Sequence, residues 1–189
     1  MGWFRGLLLL VALAGAAGLA WIYSGAQEVA AVEPHGRVAA WVLETTRERA
    51  VARRARNVES RLPDLEGDAL LAAAVAYEDM CAICHFPPGG VPSSLAEGLN
   101  PPAPYLGGLM EARGVEELFW VTKHGLRMTG MPAWGPTHDD RELWALVALI
   151  QRFPDFGVDE YDRLLAAARE RGIDHDHYQE PDDEVSHAH

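Results

Sequence analysis

The sequence predicts an all-α protein interrupted by one long irregular stretch, and three observations carry that prediction. From residue 37 onward, apolar residues recur at helical spacing in a succession of short segments. No strand–helix–strand alternation and no internal repeat is visible. Between two of the helical segments, residues 86–108 are so rich in proline and glycine (PPGGVP, then NPPAPYLGG) that regular secondary structure is not expected there.

The first element is a run of eighteen uncharged residues, 6–23, at the lower edge of the length that crosses a membrane. Arg5 precedes it and no cation follows before Arg37, so the N-terminus is expected to stay cytoplasmic and the rest to be exported. Trp3 lies at one end and Trp21, Ile22 and Tyr23 at the other, as interfacial anchors would. A cleavable signal peptide competes, with Ser24, Gly25 and Ala26 offering a small-residue cut site before Gln27. The long apolar run and its aromatic end favour a retained anchor over residues 1–24. Either reading puts the body of the protein outside the cytoplasm.

Residues 25–63 read as a linker followed by an arginine-rich helix, 37–61, with Val38, Trp41, Val42, Thr45, Ala52, Ala55 and Val58 at helical spacing. Its basic side has competing readings: contact with anionic lipid head groups, an arm on the acidic domain that follows, or a solvated helix packed on the core through Trp41. Pro63 is expected to end it. The main domain is expected over 64–154. It opens with a helix at 68–80 that delivers Cys81, continues through the irregular stretch, and adds a helix over 114–124 closed by Gly125. Thr137 to Asp140 has the form of a capping box before a helix over 141–152, with Leu143, Trp144, Val147 and Ile150 as its apolar face and Pro154 as its stop. Residues 155–189 supply one more helix, 160–171, and an acidic, histidine-rich tail that reads as disordered.

Charge is segregated along the 189 residues, whose net formal charge is −12. Lys123 is the single lysine, and seven arginines fall within 37–61. After Pro154 there are eleven carboxylates against three arginines. This balance excludes nucleic acid as a partner, because phosphate binding needs a basic face, and it favours a partner with a basic patch.

Both cysteines lie in Cys81-Ala82-Ile83-Cys84-His85. Cys-x-x-Cys-His is the attachment signature of c-type haem. Two thiols three residues apart can form thioethers to the two vinyl groups of one porphyrin edge, and the adjacent histidine brings its imidazole to the iron. A thioredoxin-like site would want a βαβ context, which is missing. A zinc site would want a further ligand, for which His124 or His138 is available, but has no second cysteine pair. A haem also explains the irregular stretch, since a loop that long needs something to wrap around. The second axial position calls for a ligand that blocks access to the iron and tunes its potential; methionine does both. Met128 and Met131 lie downstream in a loop between two helices, Met131 locked between Gly130 and Pro132. Core filling is the ordinary use of a methionine, and this setting does not fit it.

On these residues the stretch 64–153 resembles a class I cytochrome c domain. The resemblance implies that Met131 of Gly130-Met131-Pro132 is the distal ligand, with Met128 as the fallback. It also implies that Pro104, in Pro104-Tyr105-Leu106, offers its carbonyl to the other ring N–H of His85. Tyr77, Leu143 and Trp144 are then placed where the first and last helices of that fold cross. Two positions depart from the family, Ala73 and Phe86 standing where glycine is common. The resemblance says little about the anchor, the arginine-rich helix or the tail.

The implied function is that of a membrane-anchored monohaem cytochrome c, moving single electrons on the periplasmic side of a bacterial cytoplasmic membrane as a free carrier or a complex subunit. It would not itself be an enzyme. The alternative is a haem enzyme or gas sensor with a labile distal ligand. His124 and His138 read as surface or cap residues, and His175, His177, His187 and His189 as parts of a solvated tail.

Overall fold

The computed structural model describes residues 2–109, 113–157 and 159–174. The histidine-rich tail beyond Asp174 lies outside the described residues. The chain divides into two compact units between His35 and Gly36. The first holds α1, Gly2–Tyr23, every residue of which is exposed. Twenty-two helical residues span about 33 Å, enough for a bilayer core of about 30 Å. It is the helix among the described residues that is long and apolar enough to cross a membrane, and a signal sequence passes the same test.

Among the described residues the second unit is all-helical. Its main helices are α2 (Arg37–Ala55), α3 (Gly67–Met80), α5 (Val115–His124), α6 (Asp140–Arg152) and α7 (Glu160–Arg171); α4 (Ser94–Glu97) is a single turn. They pack in the order α2, α5, α6, α3, α7. The middle member, α6, is buried on all sides from Glu142 to Ile150, wider than the one-faced stripe expected from Leu143, Trp144, Val147 and Ile150. It has α3 against one side and α5 against another, so Ala145, Leu146, Ala148 and Leu149 also find apolar neighbours. The capping box that starts it differs from the expected one. Asp139 accepts from the Glu142 backbone N–H at 2.9 Å, and the Glu142 carboxylate accepts from the Asp139 N–H at 3.0 Å. Thr137 instead donates to the Trp134 carbonyl, closing the preceding turn.

Alanines 72, 73, 74 and 76 of α3 are all buried, and their small side chains leave room for helices on two sides. One neighbour is α7, anchored by Tyr161, whose hydroxyl donates to the Ala74 carbonyl (3.3 Å) and the Glu78 carboxylate (3.0 Å). Gly172, at φ 66°, ends α7 in a left-handed cap and turns Ile173 into a small apolar cluster with Leu71, Ala72 and Ala168.

The arginine-rich helix stops at Ala55, six residues before the expected end. Val58, Leu62 and Leu65 beyond it all turn onto the core, and Leu65 is fully buried. The proline-rich stretch is irregular as expected except for α4 and a 3-10 turn at Gly107–Leu109. Ser93 caps α4 by accepting from the Ala96 N–H at 3.1 Å, in a segment free of proline.

Candidate functional site

Cys81 is the residue that ends α3; its N–H still donates to the Tyr77 carbonyl at 2.9 Å. The chain then turns tightly, with the N–H groups of Cys84 and His85 both donating to the Cys81 carbonyl, at 3.0 and 2.7 Å. Three outside contacts hold this turn. The Tyr77 hydroxyl donates to the His85 carbonyl. The Ser93 hydroxyl donates to the Ile83 carbonyl at 2.5 Å. His85 Nδ1 lies 2.8 Å from the Pro104 carbonyl, which can only accept. That contact fixes the tautomer with the proton on Nδ1 and leaves Nε2 with a free lone pair. Burial lowers the His85 pKa below the ordinary imidazole value, against a smaller opposing effect of the Pro104 hydrogen bond. The ring is therefore neutral at neutral pH, the form in which a histidine ligates a metal.

The Cys81 thiol is pushed up to about 12, first by burial and then by the neighbouring Cys84. A thioredoxin-like nucleophile needs the opposite shift, so that reading loses its chemistry as well as its fold context. The zinc reading fails on geometry: among the described residues no group of three His, Cys, Asp or Glu side chains converges. His124 lies against Trp120 (centroids 4.8 Å apart), and His138 meets the edge of Trp134 and the Thr137 hydroxyl.

The loop between α5 and α6 carries the two candidate methionines. It doubles back on the end of α5, with Trp134 and Gly135 N–H groups donating to the Thr122 and Lys123 carbonyls. Within it Leu126 donates to the Met131 carbonyl at 3.2 Å, and the Met131 N–H donates to the Thr129 hydroxyl at 3.1 Å. Met131 is thereby held on both sides of its own peptide and is half-buried. Met128 is 89% exposed, at φ 63°. Leu99, from the irregular stretch, reaches the backbone of Gly130, where a Cβ would come within 2.7 Å of it.

Gly125 is the residue on which this loop pivots. Its φ is 65°, and a Cβ there would stand 2.7 Å from the Pro132 carbonyl carbon. Gly125→Ala is expected to destabilise the protein by about 1–3 kcal/mol, since it combines an unfavourable φ with a backbone clash. Gly172→Ala is the matched control, with a similar φ of 66° and open space around its Cβ. Urea titration of both variants should show the larger loss at Gly125; equal losses would mean that the contact with Pro132 contributes nothing.

Of the five residues singled out in the sequence, the structure brings Cys81, Cys84, His85 and Pro104 together through one turn and one hydrogen bond. Met131 sits on a separate loop, where Leu99 of the irregular stretch packs against Gly130. Two contributors were not read as parts of the site. Tyr77 was expected only at a helix crossing, and Ser93 had no assigned part. Phe86, one of the two departures, stacks on Tyr105 (centroids 5.4 Å, planes 17° apart). The Tyr105 ring in turn covers the backbone of Gly107, where a Cβ would come within 2.5 Å of the phenol.

The chemistry of this donor set fits haem c: two thiols in one turn, a neutral imidazole with Nε2 free, and half-buried Phe86, Ala103, Tyr105, Leu126 and Met131 in the surrounding loops. When bound, the group supplies one-electron exchange between ferrous and ferric iron. A family model described as cytochrome c oxidase, cbb3-type, subunit III matches residues 68–150. No curated protein and no solved structure matches the chain.

Proposed function

We propose that this chain, in which residues 68–150 are a c-type cytochrome domain, carries single electrons at the outer face of a membrane through one covalently bound haem. The observation that supports the reading is the hydrogen bond from His85 Nδ1 to the Pro104 carbonyl, which leaves Nε2 free on a residue of the same turn as the two thiols. In this reading Cys81 and Cys84 form the thioethers, His85 is the proximal ligand and Met131 the distal one. Pro104 and Tyr77 position His85, one at its ring and the other at its backbone.

The chain's own residues keep the site ready for a reaction in which no bond is made or broken. Cys81 is buried and His85 half-buried, which limits how far water reorganises around them when the charge changes. Two loops tied down by named hydrogen bonds limit how far either ligand moves. Helix α1 serves as the membrane anchor, and the match to a family described as an oxidase subunit supports a place in a respiratory complex. The net charge of −12 points to a basic patch on the redox partner.

The test is mass spectrometry of the unfolded, haem-matured chain. One haem retained after denaturation is expected, still held through a single thioether in Cys81→Ala and in Cys84→Ala, and released only in the double variant. Release of haem from the wild type on unfolding would overturn covalent attachment, and a mass gain of two haems would overturn the monohaem reading. Carbon monoxide binding to the native ferrous protein would favour the enzyme or sensor alternative.

A further inference from the structure

Helix α2 is docked over only half its length. Its C-terminal half is held to α5 and to Arg113 just ahead of it: Val51 and Ala55 are buried, Glu48 pairs with Arg113 at 3.1 Å, and the Arg54 guanidinium lies over the Trp120 ring. The N-terminal half carries large apolar side chains in the open. Val38 is 76% exposed, Trp41 65% and Val42 45%. The expectation that the helix packs through Trp41 is therefore wrong; the face that packs is the one bearing Val51 and Ala55. Positions 38, 41, 42 and 45 share one side of the helix, and the same side continues through Arg49, Arg53 and Arg56. All three arginines are exposed, and no ion pair holds them among the described residues. One side of α2 is thus apolar and aromatic at its start and cationic at its end.

We infer that this side of α2 docks on the anionic head-group layer of the membrane that holds α1. The inference rests on the reading of α1 as a retained anchor. Charge complementarity supports it: residues 37–61 carry seven arginines against three glutamates in a chain whose net charge is −12. A tryptophan with adjoining valines at the leading end, and arginines behind it, is the composition of a helix that lies in the interface. The tether permits it as well. Fourteen residue steps separate Tyr23 from Arg37, a reach of at most about 50 Å when extended. Docked in this way, the helix would turn an anchored domain into an oriented one, because α2 is fixed to α5 and α5 leads into the Met131 loop.

The experiment uses the full-length, haem-bound chain in lipid nanodiscs. A nitroxide is attached at Val38→Cys or Val42→Cys, the native cysteines being engaged by haem, with Ala166→Cys on α7 as the reference. In discs containing phosphatidylglycerol, the labels on α2 should lose access to a water-soluble relaxing agent severalfold and gain access to oxygen, while the label on α7 stays wet. Phosphatidylcholine alone, high salt, or the triple variant Arg49→Gln, Arg53→Gln, Arg56→Gln should reverse the effect. Labels on α2 that remain wet in both lipids, or that are buried equally in both, would overturn the inference. So would burial that occurs only in native membranes containing partner proteins, which would assign this side to a protein surface. The mass of the chain recovered from native membranes separates the two failures. A chain beginning at Gln27 removes the anchor and the docking together, whereas an intact chain with wet labels removes only the docking.

Discussion

Met131→Ala is expected to abolish the sulfur-to-iron charge-transfer band of the ferric protein and to lower its midpoint potential. Axial ligand identity moves haem potentials over about 0.8 V in all, and loss of a thioether is expected to account for a change on the order of 0.2 V. Met131 is the better placed of the two methionines. Its peptide is held on one side by Leu126 and on the other by the Thr129 hydroxyl, and it is half-buried. Met128 is 89% exposed in a left-handed conformation, so Met128→Ala is expected to leave both observables unchanged. Absorption spectra in both redox states and a redox titration of the two variants decide the matter. If the band disappears in the Met128 variant and survives in the Met131 variant, the ligand assignment moves to Met128. If it survives in both, the distal position belongs to another group and the enzyme and sensor readings reopen.

The second large effect is expected at Tyr77, which is completely buried and meets Phe153 and Tyr161 edge-on, with centroids 4.9 and 5.9 Å away. Its hydroxyl is the donor that holds the His85 carbonyl. Tyr77→Phe keeps the ring contacts and removes only that donor, leaving a part-buried carbonyl short of a partner at a cost of about 1–3 kcal/mol. Tyr77→Ala adds the cavity and should cost about 3–5 kcal/mol, a large share of the roughly 5–15 kcal/mol that holds a domain folded. Burial raises the Tyr77 pKa, so the hydroxyl stays protonated through the working range and the effect of Tyr77→Phe should be the same at pH 6 and pH 9. Denaturant midpoints of the haem-bound variants measure both. A Phe variant as stable as the wild type would show that the hydrogen bond to His85 adds nothing to the fold.

Much of this molecule is readable one segment at a time. The all-α class, the helices near 68–80, 114–124, 141–152 and 160–171, and the proline-rich connection all follow from periodicity and from residues that break it, which act within a few positions along the chain. The Cys81–His85 spacing is equally local, because the attachment signature is complete within five consecutive residues.

What the tertiary structure decided lies where distant segments compete for the same side chain. Tyr77 was placed by the resemblance at a crossing with Leu143 and Trp144, and α3 does pack on α6 with all three in one core. The resemblance did not give their ring partners: Trp144 stacks on Phe119 at 4.2 Å, and Tyr77 meets Phe153, Tyr161 and the His85 carbonyl. Tyr161 reaches α3 across 87 positions of sequence, a separation no periodicity can register. The exposure of Trp41 has a cause of the same kind, because the packing face of α2 is set by where α5 lies. The sequence therefore determined the segments and the Cys81–His85 motif, which depend on neighbours within a turn; the fold determined which face each helix buries and which contacts steady His85, because those depend on segments far apart in the chain.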